Sequence, residues 1–360
     1  MFESPQTPSR FDELTLNHVE LYVTDLATAR TAFADQYGGH HLADHESADG
    51  AHRSTALGIG RTVLVLTQGL SADHPASLFV RARGDGVADL ALRTDRVREA
   101  HASALAHGAR DRGAPVEENG AIRATIQVFG DVRHTFVTPP PGTEGHWVPG
   151  FGSLPSSPGS TTGLTGADHF AVCLDAGSLD EVVRFYRTAL GFERTFSERI
   201  VVGSQAMDSH VVQNTARDVT LTLLEPDITA APGQIDRFLK DNDGSGIQHV
   251  AFATEDIVRA TAVLRERGVE FLSTPGAYYD RLTERITLER HGLAELRAAH
   301  VLADEDHGGQ LFQIFTRSTH PHNTLFYEVV ERCGATTFGS GNIKALYEAV
   351  ETGQSADRPR

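Results

Sequence analysis

The chain has 360 residues and carries 32 Lys+Arg against 48 Asp+Glu, a net charge of −16 with its 18 histidines neutral. At roughly 150 residues per domain this is two domains, and 40% hydrophobic with 22% charged residues is a globular, not a disordered, composition. An acidic chain argues against nucleic acid or an anionic membrane as the main partner. No stretch reaches the ~18 apolar residues of a membrane helix, so no membrane partner is expected, and two cysteines without a CxxC motif make a reducing cytoplasm the expected location.

Residues 17–37, NHVELYVTDLATARTAFADQY, predict a strand and then a helix, in which Leu26, Ala29, Phe33 and Tyr37 keep helical spacing. Residues 84–109 predict a glycine turn, a strand and a helix that stops at Gly108. RHTFVTPP (133–140) is a further strand. The run 139–166 is rich in Pro, Gly and Ser and reads as a linker, which places one domain at 1–155 and the next at 156–360.

The pattern then starts again. DHFAVCLDAGSLDEVVRFYRTAL (168–190) repeats the first strand and helix, with Leu179, Val182, Val183, Tyr186 and Leu190 at helical spacing. GSGIQHVAFATEDIVRATAVLRERGV (244–269) repeats the second pair, and HNTLFYEVV (322–330) the third strand. His18 falls opposite His169, Asp89 opposite His249 and Pro139 opposite Glu328, and the growing offset marks an insertion near 275–308. The last segment, NIKALYEAV (342–350), is a helix by its Ile343, Leu346, Tyr347 and Val350. Two modules in each half make an α+β fold.

A lone strand histidine is usually structural, and the repeat is what singles out three positions. The second half offers His169, His249 and Glu328 from three strands, where the first half holds a proline with no donor atom. Two imidazoles and one carboxylate on one face of an ion form the facial triad of non-heme iron(II) oxygenases and leave three positions open. A zinc hydrolase uses the same ligand types. Two cysteines, Cys173 and Cys333, exclude a four-cysteine zinc site or an iron–sulfur cluster built by this chain alone.

Taken in order, ADHFAV (167–172), PGQIDRFL (232–239), GIQHVAF (246–252), GQLFQIFT (309–316), LFYEVVER (325–332) and FGSGNIKALYEAVE (338–351) resemble the 4-hydroxyphenylpyruvate dioxygenase family. These segments cover most of the second half, while the first half matches weakly, through the repeat and VPGF (148–151). The resemblance implies a vicinal oxygen chelate fold: tandem βαβββ modules forming two open barrel domains, with the C-terminal helix as a lid. It implies Fe(II) as cofactor, held by His169, His249 and Glu328. The implied substrates are 4-hydroxyphenylpyruvate and O2. The implied pocket contains Ser209, Gln234, Gln248, Gln313, Phe315 and Phe338. For Gln248 strand alternation argues the other way, since it points the side chain away from His249. A homodimer is expected, with the first half as scaffold or subunit contact.

The chain departs from the ring-hydroxylating pattern of that family. A strand ending that resembles Pro-Leu-Asn-Glu-Pro elsewhere reads Thr222-Leu223-Leu224-Glu225-Pro226 here, Ile343 replaces an aromatic, and Tyr347 stands where Phe is more usual. Thr222, Leu224, Ile343 and Tyr347 therefore join the expected pocket. The pattern is similar to the branch that oxidises the benzylic carbon to give 4-hydroxymandelate for antibiotic biosynthesis, the alternative being homogentisate by attack on the ring. A metal-free small-molecule-binding protein of the same fold would not need the triad.

Overall fold

The computed structural model describes residues 11, 13–339 and 341–342. The first half runs β1 (Thr15–Tyr22), α1 (Leu26–Asp35), β2 (His40–Glu46), β3 (His52–Ile59), β4 (Thr62–Gly69), α2 (Pro75–Arg83), β5 (Gly86–Arg93), α3 (Val97–Ala106), β6 (Arg110–Glu118), β7 (Ala121–Phe129) and β8 (Val132–Thr138). A hairpin follows, β9 (His146–Val148) and β10 (Gly152–Leu154). The second half runs β11 (Leu164–Cys173), α4 (Leu179–Ala189), β12 (Glu193–Val202), β13 (Gln205–Gln213), β14 (Thr220–Pro226), α5 (Gln234–Asp241), β15 (Gly246–Thr254) and α6 (Ile257–Glu266). It ends with α7 (Gly276–Arg285), α8 (Leu293–Ala299), β16 (Leu302–Asp306), β17 (Gly309–Phe315) and β18 (Phe326–Cys333).

The repeat read from the sequence is a repeat of topology. Strand order is β2-β3-β4-β1-β5-β8-β7-β6 in one sheet and β12-β13-β14-β11-β15-β18-β17-β16 in the other. These are the tandem βαβββ modules expected, each pair making one open half-barrel. Helices α7 and α8 fill the insertion between α6 and β16, where the first half passes directly from α3 to β6. No helix among the described residues is long and apolar enough to cross a membrane.

One face of each sheet packs against helices. In α4 the buried stripe Leu179, Val182, Val183, Tyr186 meets Leu221 and Leu223 of β14, and Asp180 and Glu181 lie in the first turn, where the helix dipole favours acids. The helix-side cores of the two halves merge: Tyr37 packs edge-on to Tyr327 with centroids 5.0 Å apart, and the His134 ring and the Tyr186 hydroxyl are 2.6 Å apart.

Two expectations change. The linker is not featureless, because β9–β10 places Val148 and Leu154 against Ala56, Val63 and Val65 on the concave face of the first sheet. A Pro/Gly/Ser composition hides this, since only two apolar side chains are needed to seat a short hairpin. The residue opposite Glu328 is also Thr135, not Pro139. His249 pairs with Phe326 and Asp89 with Arg133, and two residues further along lie Glu328 and Thr135. Pro139 lies past the end of β8. Thr135 instead donates its backbone N–H (2.9 Å) and its hydroxyl to the Asp89 carboxylate. With threonine at the place of Glu328, the first half has no carboxylate at that position.

Candidate metal centre

Three adjacent strands of the second sheet, β11, β15 and β18, carry His169, His249 and Glu328. Glu328 Oε2 lies 3.3 Å from His169 Nε2 and 3.2 Å from His249 Nε2. Two ligands at right angles on an ion with bonds of roughly 2.1 Å stand about 3.0 Å apart, so the donor atoms already have the spacing of a shared centre. All three residues are buried, Glu328 to 1% exposure. A carboxylate buried so deeply requires a cationic partner, and the donor set fits a divalent ion.

The local backbone aims these groups. Ala167 and Phe170 both belong to the helix-side core, so the two residues between them turn inward together. The register shift between Ala167 and His169 makes Asp168 the extra residue of a β-bulge. Asp168 Oδ1 thereby reaches His169 Nδ1 at 2.8 Å and leaves Nε2 facing the centre. The first half repeats the device with an amide: Asn17 Oδ1 lies 2.8 Å from His18 Nδ1. A second bulge re-aims Gln248. Ile247 and Val250 both face the helix-side core, and the register skips Gln248 between Ala171–His249 and Val172–Ile247. Gln248 and His249 are thus both left for the interior, where simple alternation sends Gln248 outward.

Arg332 supports Asp168 from β18. Its Nε is 2.9 Å from Asp168 Oδ2 and its Nη2 2.9 Å from Oδ1, while Nη1 donates to Thr337 O at 2.6 Å. Its guanidinium also lies 4.8 Å from the centroid of Phe338, whose ring meets His169 edge-on at 4.8 Å. Phe326 stacks on His249 at 4.8 Å and Phe315 meets it edge-on at 6.0 Å. The centre has aromatic walls.

Charge follows geometry. Burial pulls the His169 ring toward neutrality, but the Glu328 charge and the Asp168 contact outweigh it and hold the ring up at about 9. Burial pushes Glu328 up, and the His169 and then the His249 imidazoles outweigh that and hold it at about 2. His249 is lowered by burial despite Glu328. Asp168 stays well below the usual carboxylate range, burial being outweighed by His169 and Arg332.

Ser209, Thr222, Leu224 and Gln313 are spread over the same sheet. Ser209 is buried on β13 directly opposite Leu224 of β14. Leu224 packs with Cys173, Ile200, Met207, Ile235 and Phe238. The Thr222 hydroxyl is buried without a hydrogen-bond partner among the described residues. Gln234 is half-buried in the first turn of α5, whose Ile235 and Phe238 pack against Leu224. Gln313 does not hold a free amide: its Nε2 donates to Glu328 Oε1 at 2.7 Å and its Oε1 accepts from Asn342 Nδ2 at 2.8 Å. Ile343 and Tyr347 lie outside the described residues, with most of the expected lid helix. Sequence reasoning passed over Asp168, Arg332, Phe326 and Asn342. The Asn17–His18 pair opposite Asp168–His169 was the available signal for the first of these.

The Glyoxalase/Bleomycin resistance protein/Dioxygenase superfamily profile matches residues 166–314. A solved structure of a substituted 4-hydroxymandelate synthase from Streptomyces coelicolor is 44% identical, with 94% of this chain and 98% of that chain covered and a TM-score of 0.84. The 4-hydroxyphenylpyruvate dioxygenase of Dictyostelium discoideum is 31% identical over 94% of this chain and 97% of its own length. That of Caenorhabditis briggsae is 30% identical over 98% and 95%. With this identity sustained along both halves, the chain belongs to the 4-hydroxyphenylpyruvate dioxygenase family.

Proposed function

We propose that His169, His249 and Glu328 hold Fe(II), and that the protein converts 4-hydroxyphenylpyruvate and O2 to 4-hydroxymandelate and CO2. The convergence of three buried donors on one point carries the metal reading. When bound, such an ion supplies the activation of O2 that the protein's own side chains cannot. The side chains do the rest. Asp168 fixes the His169 tautomer, and Phe315, Phe326 and Phe338 keep the centre dry and offer ring faces to an aromatic substrate. Among the described residues expected in the pocket, Ser209, Gln248 and Thr222 are the polar groups left to meet its carboxylate, keto oxygen or phenol, and Gln234 stands at the edge of the same wall.

The product is a matter of placement, since ~1 Å of displacement changes a rate about a hundredfold. Thr222 and Leu224 sit where the ring-hydroxylating pattern carries Pro and Asn, and Leu224 presents an apolar surface beside Ser209. The 44% identity to a mandelate synthase supports benzylic attack, and antibiotic biosynthesis is the use that the family resemblance implies for that product. Homogentisate formation is the second reading, because the relatives at 30–31% identity are 4-hydroxyphenylpyruvate dioxygenases.

The test is anaerobic loading with Fe(II), addition of 4-hydroxyphenylpyruvate and O2, and identification of the aromatic product. 4-Hydroxymandelate is expected, and homogentisate as the main product rejects the first reading. His249→Ala is expected to lose both iron and turnover. Equal iron in both proteins returns the chain to the class of metal-free binding proteins.

A further inference from the structure

The proposed triad leaves one question open: whether Glu328 would bind the ion through one oxygen or two. With one, three of six positions remain, enough for a two-toothed 2-oxo acid and one more small ligand. With two, only the 2-oxo acid fits.

The two oxygens of Glu328 are in different places. Oε2 faces both imidazoles. Oε1 accepts the 2.7 Å hydrogen bond from Gln313 Nε2, in a pair that is 1% and 2% exposed. Gln313 has no freedom to turn over, because Asn342 Nδ2 donates to its Oε1 at 2.8 Å. Asn342 is oriented in turn by Tyr278, whose hydroxyl is 3.1 Å from Asn342 Oδ1. That hydroxyl also accepts from the Ala303 N–H at 2.8 Å and lies 2.8 Å from Ala303 O, to which Arg285 Nη2 donates at 3.0 Å. The one Tyr278 proton is shared between Ala303 O and Asn342 Oδ1. The ionised Glu328 only accepts, so Nε2 of Gln313 ends on Glu328 and its Oε1 takes the Asn342 donor.

Tyr278 and Arg285 belong to α7, in the insertion that the first half lacks. We infer that Gln313 is a positioning residue that holds Glu328 to single-oxygen ligation, and that the insertion exists in part to fix the orientation of its amide through Tyr278 and Asn342. This rests on the metal reading above and reassigns Gln313 from substrate contact to ligand control. The cost of inversion is clear: a flipped Gln313 would set its own oxygen against Glu328 Oε1 and Nε2 against Asn342 Nδ2, two repulsive contacts in a buried site.

The experiment uses the full chain loaded anaerobically with Fe(II), saturated with 4-hydroxyphenylpyruvate and exposed to nitric oxide, which occupies a free iron position and gives an S = 3/2 electron paramagnetic resonance signal. Iron content is measured separately. Wild type is expected to give a signal close to one per iron. Gln313→Leu is expected to keep its iron and lose at least about two thirds of the signal, because the freed Oε1 closes the third position. Tyr278→Phe, which removes only the hydroxyl beside Asn342, is expected to fall between the two. Should Gln313→Leu fail to take iron, Asn342→Ala carries the test with the same loss expected. A full signal per iron in the tested variants overturns the inference, and a full signal in Tyr278→Phe alone removes the insertion from it. Failure of the wild type to bind iron, or equal binding by His249→Ala, marks failure of the metal reading instead.

Discussion

Replacing Arg332 tests how far the proposed centre depends on residues outside the triad His169, His249 and Glu328. Arg332 is the charge that balances Asp168, through two 2.9 Å bonds in a fork, and Asp168 holds His169 Nδ1 at 2.8 Å. Asp168 lies mostly out of water, so Arg332→Leu strands a buried carboxylate. Removing one partner of such a pair costs about 3–5 kcal/mol. It also frees Thr337 O and the ring of Phe338, which packs on His169. Arg332→Leu is therefore expected to lower stability by about that amount. Asp168→Asn retains an acceptor for His169 Nδ1, as Asn17 does for His18, and should instead weaken metal affinity by about 10–100-fold, the usual penalty for losing an outer partner of a ligating histidine. The double variant no longer buries an unpaired carboxylate, so it should be less destabilised than the sum of the singles. The assays are urea unfolding of the metal-free protein and Fe(II) titration of each variant. Additive stability losses, or an Asp168→Asn affinity within about twofold of wild type, would refute the view that Arg332 acts on His169 through Asp168.

The metal-free protein should show a pH dependence set by the same groups. His169 is raised to about 9, so its contribution is full below its ordinary 6.5 and is lost as pH rises through about 9. Glu328, lowered to about 2, contributes above its ordinary 4.5 and loses that contribution as pH falls toward about 2. His249, lowered by burial, disfavours the folded state below 6.5. Thermal melts in chelator should therefore decline from pH 6.5 to 9, and the decline should vanish in His169→Gln; an identical slope in that variant would remove the His169–Glu328 pair as its source. For product choice, Leu224→Asn alone is a cleaner probe than Leu224→Asn combined with Thr222→Pro. Thr222 lies mid-strand between β11 and β13, where a proline removes a ladder donor. Leu224→Asn should raise the homogentisate fraction, measured by chromatography, and an unchanged ratio with activity retained would exclude Leu224 as a selector.

The sequence by itself determined the repeat, the strand–helix order and the strands that bear His169, His249 and Glu328, because hydrophobic period and chain order are local properties that survive duplication. Which residues meet was decided by tertiary structure. Two single-residue bulges turn Asp168 and Gln248 inward, and a bulge leaves no mark on composition while reversing the face of a side chain. The four-residue error that set Pro139 opposite Glu328 has the same origin, since parallel register between β5 and β8 depends on pairing across about 45 residues of intervening chain and not on either strand alone. Gln313 is the sharpest case. Its place on the pocket strand was legible, yet its partners come from β18, from the start of the terminal segment and, through Asn342, from an inserted helix. A hydrogen bond between groups so far apart in the chain exists only once the sheet has closed around them.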